Sequence, residues 1–241
     1  MKQVRLLLLR HGECEGGAIL RGRVDVPLSK KGWQQMSAAV ESQASVCSAI
    51  YSSTSRRCAD FAHAFAAELH STAALISESR PLQAQCLSGL QEIDFGDWDG
   101  CRLDELYQQE GEHLAAYWQN PWQTPPPNGE TMASFESRVN GTIDQILAAE
   151  FERLTLDSHK MGNENSAINE TTDNMPATQV WVVTHGGVIR HLMARALGVE
   201  RAVGFYSQLD LTVAAVVSIN VLQDEQGACY WRLDWPSGRR C

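Results

Sequence analysis

The stretch Leu6-Leu7-Leu8-Leu9-Arg10-His11-Gly12-Glu13 decides the fold. Four consecutive leucines show no apolar–polar alternation, so they read as a strand buried on both faces, as in a parallel sheet flanked by helices. The run then ends abruptly in a cation, an imidazole and a glycine. The same pattern recurs in Val180-Trp181-Val182-Val183-Thr184-His185-Gly186-Gly187. Two apolar strands therefore each deliver a His-Gly at their C-terminal end, the edge where open α/β sheets bind ligands. If the strands are neighbours, His11 and His185 face each other across one site. One histidine after a strand usually only begins a loop. Two of them, with Arg10 alongside, point to an anion pocket that holds a nucleophile, because the guanidinium fork matches phosphate oxygens and glycine admits a ligand to the backbone.

The chain has 241 residues, 44% of them apolar, which is ample for a buried core. A formal net charge of -9 argues against nucleic acid or an acidic membrane as partner, so basic residues gathered in a pocket would be a local exception. The N-terminal apolar run is too short for a signal segment or a membrane span, and no later run reaches ~18 residues. Seven cysteines lie scattered without a Cys-x-x-Cys pair, predicting a reduced, cytoplasmic protein without structural zinc.

Along the chain, a Gly-rich loop from Cys14 to Leu28 carries Arg21 and Arg23. Ser29 is placed to cap a helix over Lys30–Ser45. Ala49-Ile50-Tyr51 reads as a short strand, and the hydroxyl-rich turn Ser52-Ser53-Thr54-Ser55 opens a helix through Phe61, Phe65 and Leu69. An arginine at that helix start could complete a phosphate clamp. A third strand is expected over Leu82–Leu87, leading into Leu90-Gln91-Glu92-Ile93-Asp94-Phe95-Gly96-Asp97-Trp98-Asp99-Gly100, where carboxylates interleave with aromatics. Thr131–Leu154 has apolar residues at three- and four-residue steps and predicts the longest helix. Residues 157–178 are polar and predict a flexible loop, Gly187–Leu197 a short helix on which Arg190 and His191 are structural, and Thr212–Leu222 with Cys229–Trp235 a terminal hairpin.

Leu9-Arg10-His11-Gly12-Glu13, Ser52-Ser53 followed by Arg57, Leu90-x-Glu92 with Phe95-Gly96-x-Trp98, and His185-Gly186-Gly187 together resemble the histidine phosphatase superfamily, with all four blocks in the family's order. Arg-His-Gly alone would not be specific. The stretch from Glu15-Gly16-Gly17 through Arg21-Gly22 to Leu28, then Gly32-Trp33-x-Gln35-Met36, is most similar to α-ribazole phosphatases. The resemblance implies a single phosphoglycerate mutase-like domain over residues 1–241: an α/β, three-layer, mostly parallel sheet with helices on both faces. It implies His11 as the nucleophile, Arg10, Arg57 and His185 as the phosphate clamp, and Glu92 as the proton donor. Arg57 is chosen over Arg56 because it follows Ser52 by five residues, the family spacing. Gly186, Arg21 and Gly22 join the expected phosphate- or substrate-binding positions. Many relatives have a phosphate-touching asparagine near Gly17; this chain lacks it, and Arg21 is the expected replacement.

From Leu103 to Ser137 there is no Lys or Arg against Asp104, Glu105, Glu110, Glu112, Glu130 and Glu136, and the stretch holds Tyr107, Tyr117, Trp118 and Trp122. In the family this region covers the active site. An acidic, aromatic cover suits a monophosphate whose remainder is flat and uncharged. The expectation is thus a metal-independent phosphomonoesterase without a cofactor, acting on a small phosphomonoester, with α-ribazole 5′-phosphate from cobalamin assembly favoured. A phosphatase or mutase for sugar phosphates or phosphoglycerate, and a non-catalytic phosphate-recognition module, are the alternatives. A homodimer is left open.

Overall fold

A computed structural model describes residues 1–43, 47–74, 82–162 and 178–234. Strand β1 (Lys2–Arg10) lies parallel to β4 (Thr178–Thr184), with Leu8 opposite Val182 and Arg10 opposite Thr184. The two apolar runs are therefore direct neighbours in register. On the far side of β4 lie β2 (Cys47–Ser53) and then β3 (Ala84–Leu87), both parallel. On the far side of β1 the antiparallel hairpin of β5 (Val216–Gln223) and β6 (Cys229–Asp234) completes a six-stranded sheet of order β3-β2-β4-β1-β5-β6.

The absence of alternation in β1 has the expected cause. Leu6 and Leu8 point into one apolar core with Val180 and Val182, while Leu7 and Leu9 point into another with Trp181 and Val183. Helices α1 (Lys30–Glu41) and α2 (Arg56–Ala74) cover the second face through Met36, Phe61 and Phe65. The first face is covered by α3 (Leu103–Gln109), α4 (Gly111–Gln119), α5 (Met132–Gly162) and α6 (Gly186–Leu197), with Phe135, Val139, Ile143 and Ile189 in the core. A four-residue helix, α7 (Phe205–Gln208), follows α6.

Strand β2 extends two residues beyond expectation at each end and β3 starts two residues later, and three other boundaries differ for identifiable reasons. Helix α1 stops at Glu41 rather than Ser45, where the Ser42 hydroxyl donates back to the Ala39 carbonyl at 2.7 Å and competes with continued helix. Helix α5 runs past Leu154 to Gly162, so residues 157–162 of the expected loop are helical; residues 163–177 lie outside the described residues. Apolar periodicity reports only where a helix meets a core, whereas propagation continues at one hydrogen bond per residue. Strand β5 begins at Val216 because Ala214, at φ 56°, turns the chain so that its N–H donates to the His11 carbonyl (3.2 Å) while the Ala215 carbonyl accepts from Arg10 N–H (3.0 Å). The hairpin's expected last residue, Trp235, lies outside the described residues.

Candidate active site

The parallel register of β1 and β4 sets the site. His11 N–H donates to the Thr184 carbonyl at 3.0 Å, and the rings of His11 and His185 stand edge to face with centroids 5.4 Å apart. His11 Nδ1 lies 2.9 Å from the Gly12 carbonyl oxygen. A carbonyl only accepts, so Nδ1 carries the proton and Nε2 keeps its lone pair. Burial first, then the Arg57 charge, hold the His11 imidazole down at about 3. The ring is neutral at physiological pH. Cys14 Sγ sits 3.4 Å from the same Nδ1, and burial pushes its thiol up.

His185 is fully buried, and burial and Arg57 hold it well below its ordinary value. Its Nε2 is 2.8 Å from Ser53 Oγ at the end of β2. Arg57, in the first turn of α2, is also fully buried, and its two terminal nitrogens donate to the carbonyls of Val24 and Gly22 at 2.9 Å each. Its neighbour Arg56 instead faces outward and pairs with Asp60 at 3.6 Å, so Arg57 is the one of the two that is buried and acts electrostatically on His11. Arg10 donates through Nη1 to the Leu211 carbonyl, and Arg21 through its terminal nitrogens to the carbonyls of Glu15, Gly17 and Ile19. In each of these three arginines the Nε is buried without a hydrogen-bond partner, as is His185 Nδ1. Unpaired buried donors cost about 1–3 kcal/mol each, so a cluster of them is suited to an anion that accepts from several at once.

Glu92 is held by the amides of Ile93 (3.1 Å, to Oε1) and Gly187 (3.0 Å, to Oε2). The approach leaves no room for a side chain at position 187, because a Cβ there would lie 2.2 Å from Glu92 Oε1. Arg138 of α5 clasps the same loop, donating to the carbonyls of Gly89, Gln91 and Glu92 while pairing with Glu130 at 2.6 Å.

Arg10, His11, Arg21, Glu92 and Gly186 share the wall of a cavity of about 570 Å³. Arg57 and His185, both fully buried, are not among the lining residues; the His185 ring lies 5.4 Å from that of His11. Gly22 does not line the cavity: its N–H is taken by Asp99 Oδ1 (2.9 Å) and its carbonyl by Arg57, so both of its backbone groups are used within the protein. The rest of the wall is apolar and aromatic, with Phe95, Tyr107, Tyr117, Trp118 and Phe135 among its side chains.

Three expectations about the cover are corrected. Trp122 is not in the cavity; its Nε1 donates to the Glu200 carbonyl at 2.7 Å and its ring lies under Arg201. None of the six carboxylates between Leu103 and Ser137 lines the cavity either. Asp104 and Glu105 pair with Arg102, Glu110 with His113, Glu130 with Arg138 and Glu136 with Arg201, while Glu112 is exposed. Arg190, expected to be structural, does line the cavity, one helical turn after Gly186, with its Nε anchored on the Leu209 carbonyl at 3.0 Å. The wall therefore carries three arginines against one carboxylate. The (i, i+4) spacing from Gly186 was a usable signal for Arg190. Tyr206 and Ser207 also line the cavity, and their short helix has no periodicity from which to find them.

Among the described residues no three His, Cys, Asp or Glu side chains converge as a metal site, no helix is long and apolar enough to cross a membrane, and the six cysteines are free.

The family model of the histidine phosphatase superfamily (branch 1) matches residues 6–162 and 164–233. Over 185 residues the chain is 31% identical to an adenosylcobalamin/alpha-ribazole phosphatase of Salmonella typhimurium, covering 74% of this chain and 84% of that one. The protein of the same description from Escherichia coli K12 is 26% identical over 223 residues, covering 90% and 91%. The solved structure of a mycobacterial glucosyl-3-phosphoglycerate phosphatase superposes with a TM-score of 0.69 at 25% identity, covering 97% of this chain and 98% of that one.

Proposed function

This chain belongs to the histidine phosphatase superfamily and is a phosphomonoesterase, and from that premise we propose that it works through a phosphohistidine on His11 and prefers α-ribazole 5′-phosphate. One observation carries the chemistry: the unpartnered Nε atoms of Arg10, Arg21 and Arg57 and the unpartnered His185 Nδ1, grouped at a neutral imidazole. A phosphoryl group at His11 is the anion that such a cluster of donors suits, and preorganised donors of this kind are the main contribution a protein makes to phosphoryl transfer. His11 Nε2 attacks phosphorus in line with the ester oxygen. As the P–O bond breaks, the leaving oxygen takes a proton from Glu92. The resulting carboxylate then accepts a proton from water while the water oxygen attacks phosphorus, breaking the P–N bond and returning free His11 and inorganic phosphate.

Ser53 is the near partner of His185: its Oγ lies 2.8 Å from Nε2, and with the Ser53 hydroxyl donating to Nε2 rather than to Ser55 Oγ at 3.4 Å, His185 carries its proton on Nδ1 as a donor to a phosphoryl oxygen. The arginines carry charge that other phosphatases assign to two bound metals, and the cycle needs no metal.

The substrate reading rests on two supports. The relatives at 31% and 26% identity are adenosylcobalamin/alpha-ribazole phosphatases, and the cavity that holds His11 is also lined by Tyr107, Tyr117, Trp118 and Tyr206, aromatic side chains suited to a flat, uncharged ring. Arg190 favours a second reading, a phosphorylated glycerate or sugar whose further anion it would pair. Initial rates on a panel of monoesters separate them. kcat/KM for α-ribazole 5′-phosphate is expected to exceed that for 3-phosphoglycerate and glucosyl-3-phosphoglycerate by at least about tenfold. Equal or reversed values would overturn the substrate while leaving the phosphohistidine chemistry standing.

A further inference from the structure

The proposed arginine clamp is itself held by a residue that does not line the cavity. Asp99 lies in the loop before α3, and its carboxylate accepts from three successive backbone amides. Gly22 N–H donates to Oδ1 at 2.9 Å, Arg23 N–H to Oδ2, and Val24 N–H to both oxygens at 3.4 and 3.2 Å. The carbonyls of the same short segment, at Gly22 and Val24, are the two acceptors of the Arg57 guanidinium. One anion thus gathers the amide side of residues 22–24 while their carbonyl side grips Arg57. Position 22 must be glycine for this, since a Cβ would lie 2.3 Å from the Ile93 carbonyl and 3.1 Å from Asp99 Oδ2. The segment is also tied at both ends: Gly100 N–H donates to the Leu20 carbonyl at 2.8 Å, and Asp25 Oδ1 accepts from the Arg56 amide at 2.7 Å at the start of α2.

We infer that Asp99 is a positioning residue for the phosphate clamp: it fixes the two carbonyls that aim Arg57, and so sets affinity for the phosphoryl group independently of what the phosphate is attached to. Without it, three amides lose their acceptor, the segment relaxes, and the two carbonyls that hold the Arg57 terminal nitrogens lose their fixed positions. A charged guanidinium needs fixed acceptors to hold one orientation, because its own side chain has many rotamers. The inference rests on Arg57 acting as the clamp proposed above.

The test uses the whole protein and inorganic phosphate as a competitive inhibitor of p-nitrophenyl phosphate hydrolysis. Asp99→Asn puts an amide group against backbone donors, and it is expected to raise Ki for phosphate at least about tenfold, with kcat/KM falling by a similar factor on every monoester alike. In an Arg57→Ala background the same substitution is expected to change Ki by less than about twofold, since the group it positions is gone. A merely structural Asp99 would lower the melting temperature and leave Ki unchanged below it, which overturns the inference; so would effects of Asp99 and Arg57 that simply add. An Arg57→Ala protein that binds phosphate normally overturns the clamp, and the inference with it. Should Asp99→Asn fail to fold, Asp99→Glu carries the same test, with a carboxylate retained but displaced: a raised Ki smaller than that of Arg57→Ala supports the inference, and an unchanged one overturns it.

Discussion

At the scale of single residues, the site is defined by what is neutral and what is left unpaired. His11 is uncharged because burial and Arg57 oppose its protonation, and its Nδ1–H is committed to the Gly12 carbonyl, so its one available lone pair is on Nε2. His185 and His191 are held low for the same leading reason, burial, His191 to about 4. Nitrogen-15 spectra of the phosphate-free protein at pH 5 are expected to show all three rings neutral, with His11 protonated at Nδ1; a charged His11 at that pH would contradict the electrostatic account. The sign for stability follows. Each native pKa lies below the unfolded value of about 6.5, so the unfolded chain binds more protons in that window. The contribution is full above about pH 6.5 and is lost as pH falls toward 4 for His191 and 3 for His11. The Arg10-His11 and His185 pair was legible in the sequence because function interrupts two apolar strands. Arg190 had only its (i, i+4) spacing from Gly186 to mark it, a weak signal because an arginine on an amphipathic helix looks the same whether it faces water or a cavity.

At the scale of elements, catalytic geometry depends on where helices begin. Helix α6 starts at Gly186, and the Gly187 amide holds Glu92 Oε2 at a distance that excludes any side chain. Gly187→Ala therefore has to displace Glu92 or the helix start, and a shift of about 1 Å at a proton donor costs on the order of a hundredfold in rate. The variant is expected to lose about that factor in kcat, with KM changing less than threefold. A near-normal kcat would show that Glu92 does not need this contact. Strand and helix identities followed from periodicity, but their ends did not. Helix α5 outruns its apolar stripe by two turns, and β5 waits for the Ala214 turn that ties it to His11 and Arg10. The acidic cover misled for a related reason: sequence counts charges, whereas Arg102, Arg138 and Arg201, outside or at the rim of the stretch, turn its carboxylates away from the cavity.

At the scale of the whole molecule, two neighbouring parallel strands bring together residues far apart in the chain, and every other element aims or covers them. Loop 22–24 and α2 fix Arg57, α5 fixes the Glu92 loop through Arg138, and α3, α4, α5 and α7 together with Phe95 supply the aromatic wall. A chain of net charge -9 thus presents three arginines to one cavity, which suits an anionic ester and a cationic transition-state clamp. The central claim is the covalent step. Rapid mixing with a phosphate-labelled monoester and quenching in base is expected to trap label on the enzyme, stable in alkali and lost in acid, and confined to the peptide containing His11. His11→Ala should abolish trapping and turnover together. Label on another residue, or a His11→Ala enzyme that retains most of its activity, would contradict the account.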